Sequence, residues 1–306
     1  DRLKIYRRFD FGRLLSLHLL DTRIEGRDRQ YDNYGDADGG LARYAAAFGS
    51  GSDATHRMIS PTQQAWLVDG ITRSEAAWQI LGYQDIMARM WMPASVLQAQ
   101  NTAFANPTAG NQAAVQTAIS DYLGAKLTRA AGQPLSPTQS ALLSAATNPR
   151  LPYNLDAWDG YPLQREAILQ SIQPLGKRLV TLSGDSHNAW FAKVTTLAGQ
   201  TVGHEFAGTS VSSPGFESLG LGALGPALDG SVAAAQLGSA AIGAGLGLVD
   251  DLAYADTRQR GYLQFTVTAD AVKGEYVFVS TVKSSSYAAS VGRTITVSAT
   301  GGVSYA

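Results

Sequence analysis

The stretch Lys177–Val194 (KRLVTLSGDSHNAWFAKV) constrains the fold more than any other part of the chain. Residues 179–183 have the composition of a buried strand, which breaks at Gly184 and leads into a polar turn that contains Asp185 and His187. Proteins of the α/β class place ligand chemistry at the carboxyl ends of such strands. Carboxylate and imidazole are both good ligands for hard or borderline cations. The pattern predicts an α/β fold with a candidate metal-binding turn, and the alternative is a capped loop without a ligand.

The overall composition removes several classes of function. With 306 residues the chain can form one large domain or two ordinary ones, and its 45% hydrophobic content is that of a globular protein. A net charge of −1 offers no basic patch for nucleic acid. No apolar run approaches the roughly 20 residues of a membrane span. The lack of Cys excludes disulfides and thiolate metal sites.

A second apolar run, residues 14–20 (LLSLHLL), also predicts a buried strand. It delivers Asp21 and Arg23 at its exit, the place where a parallel strand would present side chains to a site. His18 lies inside the run, and we expect it to be a core histidine bonded to its surroundings. Residues 26–56 are rich in Gly, Asp, Arg and Ser and predict a long surface loop with one helical turn at Leu41–Phe48.

The tetrapeptide SPTQ occurs twice and predicts two helix starts. In residues 60–63 we expect Ser60 to cap a helix over 61–72 and Gln63 to close a capping box. The second copy, residues 136–139, should start a helix that reaches about residue 146.

The middle and end of the chain have different patterns. Residues 93–147 predict an inserted helical subdomain, and a Gly/Ala-rich excursion covers about residues 215–247. Alternating residues near 261–268, 275–282 and 293–298 predict a strand-rich end. We therefore expect an α/β region over 1–285 and a C-terminal strand extension over 286–306.

Several motifs in this order resemble one known family. They are Ile5–Phe9 leading to Leu20–Arg23, Asp28–Gln30, Gln64–Leu67, Ser74–Trp78, Asp156–Pro162 with Arg165, Gly184–Trp190, Glu205–Phe206 with Thr209–Gly215, and Asp256–Tyr262. Their order and spacing agree over roughly residues 1–285. The chain resembles the PhoD-like alkaline phosphatases and phosphodiesterases, which belong to the wider metallophosphoesterase group.

The resemblance implies a metal-dependent phosphoester hydrolase with a four-layer α/β/β/α sandwich. In such enzymes the metals offset the charge of the ester and lower the pKa of a bound water. The family site resembles an iron centre accompanied by calcium, and its Gly-Asp-x-His stretch supplies ligands. Carried over, this makes Asp185 and His187 metal ligands and catalytic residues. The implied substrate is a small phosphate ester or a phospholipid, and the implied location is secreted or periplasmic.

Two further residues are candidates for substrate binding. Arg23 could hold a phosphate oxygen bidentately, or it could form an ion pair with a loop carboxylate. Asn188 could bind substrate or metal, orient His187, or serve only the turn. We expect Trp158, Asp159 and Tyr161 to be architectural.

The resemblance also predicts that something is missing. A complete family member has an N-terminal β-domain and earlier metal motifs, and none of these precedes Asp1. Asp185 and His187 are too few ligands for two metals. We therefore expect the N-terminal part of the same protein, or a second chain, to supply the rest. The competing hypothesis is a non-catalytic fragment, and no Gly-x-Ser-x-Gly elbow supports a serine hydrolase.

Overall fold

Short apolar segments spread along the chain form the strands of a mixed α/β structure. The computed structural model describes residues 4–31, 40–51, 55–219, 221, 224–238 and 245–306. Its strands are β1 Arg7–Phe11, β2 Leu15–Leu19, β3 Trp78–Gly82, β4 Trp91–Pro93, β5 Arg150–Pro152, β6 Arg178–Ser183, β7 Ala189–Thr195, β8 Thr201–Ala207, β9 Leu252–Asp256, β10 Arg260–Val267, β11 Ala271–Val279, β12 Ala289–Ser298 and β13 Val303–Tyr305. Its helices are α1 Gly40–Ser50, α2 Pro61–Arg73, α3 Ala94–Ala105, α4 Ala109–Ala130, α5 Pro137–Leu143, α6 Pro162–Ile172, α7 Gly225–Asp229 and α8 Ser231–Gln236.

In the described part, the main sheet contains seven strands in the order β1-β2-β3-β6-β8-β7-β9. Strands β2, β3, β6 and β8 are parallel neighbours, whereas β1, β7 and β9 join antiparallel. The carboxyl ends of the four parallel strands therefore meet at one edge of the sheet, where α/β proteins place their ligands.

The two faces of the main sheet have different covers. One face carries Leu81, Leu179 and Val194, which pack with apolar residues of α2 and α6. The opposite face carries Ile80 and Phe206, which pack against the four-stranded antiparallel sheet β10-β11-β12-β13. The described layers are thus helices, main sheet and small sheet.

The contact between the two sheets is close. Tyr276 of β11 donates a hydrogen bond from its hydroxyl to the Trp190 carbonyl at 2.5 Å. A Cβ at Gly274 would lie 2.5 Å from the ring of Phe206, so the ring occupies space that only glycine leaves free. The C-terminal strands are therefore packed onto the main sheet through a shared core.

The helix starts agree with the SPTQ predictions, with one difference. The Ser60 hydroxyl accepts from the Gln63 amide at 3.0 Å, as a helix cap should. The Gln63 side chain, however, does not return to Ser60, because it bonds both backbone groups of Asp21 instead. The second copy forms the complete capping box between Ser136 and Gln139, and its helix ends at Leu143 rather than near 146.

Helices α3, α4 and α5 fill the region 93–147 between the paired strands β4 and β5. Their apolar side chains join a cluster that also contains Trp190 of the main sheet. In the Gly/Ala-rich excursion, α7 and α8 are helical, while residues 220, 222–223 and 239–244 lie outside the described residues. In the described part of the chain, no helix has the length and apolarity that crossing a membrane requires.

At one end of the main sheet, no described residue range covers the face that the small sheet protects elsewhere. Phe9 and Phe11 of β1 are 44% and 55% exposed. The register pairs them with Leu17 and Leu15, and Leu17 in turn faces Ile80, so all lie on that same face. An apolar strip on β1 therefore remains exposed beside the first half of β2.

Candidate functional site

The candidate site lies at the carboxyl edge, where β2, β3 and β6 end. Thr22 and Arg23 follow β2, Gln84 and Asp85 follow β3, and Asp185 follows β6. The backbone amide of Asp185 donates to the Gln84 carbonyl at 3.0 Å, while the Gln84 side chain accepts from both the amide and the hydroxyl of Thr22. These bonds hold the three strand ends together.

Three carboxylates converge on the guanidinium of Arg23. Its Nη1 lies 3.0 and 2.9 Å from the two oxygens of Asp156, and its Nη2 contacts Asp185 and lies 2.8 Å from Asp85. Oxygens of the three carboxylates lie within 4.8 Å of one another. Burial lowers the pKa of Arg23, but the three carboxylates outweigh it and raise the pKa overall. Arg23 is therefore the cation that all three carboxylates share.

The Asp21 carboxylate sets the position of Arg23. Asp21 is buried and accepts from the backbone amides of Arg23, Ile24 and Glu25 at 2.9–3.0 Å. Because Gln63 of α2 bonds the backbone of Asp21, the turn is also fixed to that helix. Asp21, at the exit of β2, thus positions Arg23, and its carboxylate oxygens are used by the backbone amides of the turn.

Asp85 is the most enclosed member of the cluster, with 1% of its side chain exposed. It accepts from the Thr22 hydroxyl at 2.6 Å and lies 3.4 Å from Arg27. Burial raises the pKa of Asp85 to about 6, against the Thr22 hydrogen bond and the charges of Arg23 and Arg27. Its charge therefore depends on the cations beside it.

Asp156 comes from a different part of the chain, the turn before α6. Arg27 contacts its carboxylate, donates to its carbonyl at 2.7 Å and lies over the ring of Tyr161. A second arginine therefore shares this carboxylate. The stacking on Tyr161 fits the architectural role that we expected for that ring.

His187 is placed beside the cluster but not within it. Its Nδ1 lies 2.9 Å from the Pro214 carbonyl, which can only accept, so Nδ1 carries the proton in that contact. The neutral ring consequently presents the lone pair of Nε2, and the hydrogen bond fixes its orientation. His187 has a left-handed backbone, with φ of 59°. The group of mutually close ligand atoms contains Asp185 but not His187.

Asn188 is fully buried behind this turn. Its side-chain amide donates to the Ser186 carbonyl at 2.6 Å, and its oxygen accepts from the Phe216 amide at 3.2 Å. Both ends of the side chain thus join the polar turn to the 214–216 segment. Of the two residues predicted to bind substrate, the structure brings Arg23 to the carboxylate cluster and places Asn188 in the turn.

Other ionisable groups near the site belong to the interior. Asp159 accepts from the Met90 amide and the Trp91 indole, and burial raises the pKa of Asp159 to about 7. Glu205 accepts from backbone amides of the segment after β3. His204 lies on the opposite sheet face, in agreement with the alternation that separates neighbouring strand residues. The prediction that His18 is a core histidine is confirmed by its burial and its contact with Gln79.

Sequence reasoning missed Asp85 and did not assign Asp156 to the cluster. Asp85 follows the end of β3 by three residues, so the rule that located Asp185 would have located it once β3 was delimited. Asp156 had no such signal, because it follows no strand of the main sheet.

Three comparisons relate the chain to known proteins. The profile of the PhoD-like phosphatase family matches residues 1–276. Alkaline phosphatase D of Bacillus subtilis (strain 168) is 25% identical over 218 residues, which are 70% of this chain and 27% of that protein. A solved structure of PhoD superposes with a TM-score of 0.60 at 21% identity, covering 99% of this chain and 44% of that one. The chain thus spans about a quarter of the curated relative.

The family profile extends from the first residue through β10 and most of β11, and therefore includes every residue of the carboxylate cluster. The superposition shows that the arrangement of helices and strands is also that of PhoD. The chain belongs to the PhoD-like phosphatase family.

Proposed function

We propose that the chain carries part of the site of a metal-dependent phosphoester hydrolase of the alkaline phosphatase D type. The observation that supports this most is the convergence of Asp85, Asp156 and Asp185 on Arg23 at the carboxyl edge, within a chain of this family. This reaction uses two components. They are carboxylates that can share a cation and an arginine that can face a phosphate.

The residues present fit a metal centre in their donor chemistry. Asp185 is 41% exposed and has oxygens for a hard cation, and His187 presents Nε2 with its other nitrogen already bonded. We propose both as ligands, with Asp85 and Asp156 as further carboxylate donors and with iron and calcium as the metals. When bound, the metals would lower the pKa of a water molecule and offset the negative charge of the ester.

Arg23 has the position of a substrate-binding residue. Its side chain remains one-third exposed, and a phosphate would bind the planar guanidinium by taking over Nη donors that the three carboxylates hold in this structure. Asp21 holds its backbone, so only the end of the side chain would exchange partners. Asn188 is proposed as a positioning residue that orients His187 through the turn, because both ends of its amide are already bonded within the protein.

The open apolar strip on β1 and β2 supports the finer architecture. Exposed Phe9 and Phe11 beside Leu15 and Leu17 form a face of the kind that a second sheet covers. We propose a four-layer α/β/β/α sandwich in which another part of the same protein, or a second chain, covers this face and adds ligands. Residues 1–285 would then be the catalytic part, with an inserted helical subdomain over 93–147, the excursion over 215–247 and a strand extension over 286–306.

The proposed substrates are small phosphate esters or phospholipids, and the proposed location is secreted or periplasmic. The half-open cluster favours such ligands because Asp185 and Arg23 face solvent while Asp85 is enclosed. A phosphate group could therefore reach the arginine from outside without opening the core.

The test is the substitution Asp185→Asn in the full-length protein, with Asp270→Asn as the matched control on an exposed loop. We expect kcat/KM for p-nitrophenyl phosphate and bis-p-nitrophenyl phosphate to fall by about 100-fold or more, with loss of bound metal by elemental analysis. The control should retain both. Unchanged hydrolysis and metal content in Asp185→Asn would contradict the proposal and favour a non-catalytic fragment.

A further inference from the structure

A second cleft lies at the opposite end of the main sheet from the carboxylate cluster. Its volume is about 580 Å³, and it opens where β3 and β6 begin. The connection between β12 and β13 forms its other wall, with Ser298 and Val303 among the lining residues. About six residues of β6 separate it from the turn that carries Asp185, a distance of roughly 20 Å.

The ionisable residues that line this cleft are all basic. They include Lys177, Arg178, Lys193 and His204, and no carboxylate is among them. The amino-terminal edge of the sheet therefore has a positive lining, whereas its carboxyl edge has three carboxylates within 4.8 Å of one another.

Strand register places three of these groups on one sheet face. Lys193 of β7 lies directly opposite His204 of β8, which brings their Cβ atoms to about 5 Å. His204 in turn faces Val180, two residues after Arg178 on β6. Since neighbouring strands lie about 4.8 Å apart, Arg178 and Lys193 begin about 12 Å apart and their long side chains can approach one ligand.

Two of the basic groups have no partner in the described residues. The Lys193 ammonium makes no ion pair or hydrogen bond, and the ring of His204 only stacks on Phe191, with centroids 5.7 Å apart. Arg178 donates once, to the Ala269 carbonyl at 3.0 Å, and lies over the ring of Trp78. Lys177 is bonded to the Ser74 carbonyl. Several donors therefore remain available to a ligand.

His204 shows how little negative charge surrounds the cleft. Burial, and to a smaller extent the charge of Lys193, together lower the pKa of His204 to about 4, with no carboxylate acting in the opposite direction. A buried imidazole beside an unpaired ammonium is unfavourable to protonate, and a bound anion would remove that penalty.

We propose that this cleft binds a small ligand bearing two phosphate groups, one held by Lys193 and His204 and the other by Arg178. Phosphate oxygens accept from ammonium, imidazole and guanidinium alike, and two groups match two cationic positions better than one. The ligand could be inorganic diphosphate or a phosphorylated small molecule, because both present the same chemistry.

The test follows the imidazole signals of His204 by NMR in the full-length protein freed of metal on a chelating resin. The chain has four His, so His204→Gln identifies the signal. We expect saturable shifts with inorganic diphosphate and with fructose 1,6-bisphosphate, and a weaker response to inorganic phosphate. Because the protein is free of metal, phosphate cannot bind through a metal at the carboxylate cluster. The result therefore does not depend on the proposed hydrolysis.

The variant Lys193→Gln should weaken binding about tenfold or more, which is about 1.4 kcal/mol. The control Lys283→Gln removes an exposed lysine elsewhere on the surface and should leave the affinity unchanged. Saturation by inorganic diphosphate but not by the bisphosphate, or the reverse, would support phosphate binding in the cleft. It would also show which of the two kinds of ligand binds there. No saturable shift with either ligand, or equal weakening by both lysine variants, would overturn the proposal.

Discussion

The two edges of the main sheet use charge in opposite ways. At the carboxyl edge, Arg23 pairs with three carboxylates and Arg27 with two of them, and the cluster is tied to the ends of three strands. At the amino edge, Lys193 and His204 face a cleft without any anion. The first edge has charges of opposite sign that pair with one another, whereas at the second the Lys193 ammonium has no ion-pair partner among the described residues.

This difference teaches where substitution should cost stability. Ionic groups that are buried and mutually paired destabilise a fold when one partner is removed, because the other remains desolvated and alone. Exposed groups without partners contribute little to folding and are free to serve a ligand. Substitutions at either edge can therefore test this difference in stability.

The largest expected effect is at the carboxyl edge, from Arg23→Met. Asp85 would keep only Arg27 as a nearby cation while 1% exposed, so we expect the free energy of unfolding to fall by about 3 kcal/mol. Urea denaturation would measure this. The matched change Arg178→Met at the amino edge should cost well below 1 kcal/mol. Equal losses would show that the two edges do not differ as described.

The second effect is the pH dependence of stability that His204 contributes. Its pKa is about 4 in the folded protein and near 6.5 when unfolded, so the unfolded state binds the proton more tightly. Stability from this group is present above pH 6.5 and is lost as the pH falls towards 4, by about 3 kcal/mol.

Denaturation of the protein and of His204→Gln at several pH values would measure this contribution. The difference in unfolding free energy between the two should shrink as the pH falls from 6.5 to 4. A difference independent of pH would mean that His204 is not the unpaired, desolvated group that distinguishes the amino edge.

The smallest expected effect concerns the packing behind the polar turn. A Cβ at Gly215 would lie 2.6 Å from Arg260, 2.7 Å from the Asn188 oxygen and 2.9 Å from the His187 carbonyl. We expect Gly215→Ala to cost about 1–2 kcal/mol and to reduce hydrolysis by displacing the turn. Gly208→Ala, whose nearest contact would be an ordinary 3.5 Å, is the control. Equal behaviour of the two variants would show that the turn tolerates displacement.

Sequence reasoning predicted the local parts of this molecule well. The strand before Asp185, the exit of β2 at Asp21 and the capped start of α2 all follow from nearby residues. It failed where a side chain forms its hydrogen bonds with a residue far away in the sequence instead of with a neighbour. Gln63 should have completed a capping box, but the backbone of Asp21, 42 residues earlier, offers it two hydrogen bonds.

The composition of the candidate site was predictable only in part for the same reason. Asp185 and Arg23 follow apolar strands, and strand ends can be read from a sequence. That both would meet Asp156, 133 residues from Arg23, depends on the placement of the turn before α6. β1 was also missed, because Arg7–Phe11 is exposed throughout and lacks the alternation of a half-buried strand.

The left-handed backbone of His187 allows two properties of the site to be measured separately. Glycine adopts such a conformation freely, whereas alanine carries the same steric penalty as histidine. His187→Gly therefore removes the imidazole and relaxes the chain, while His187→Ala removes the imidazole and leaves the backbone strained. The difference in unfolding free energy between these two variants measures the cost of the left-handed backbone at position 187, separately from any role of the imidazole in the site.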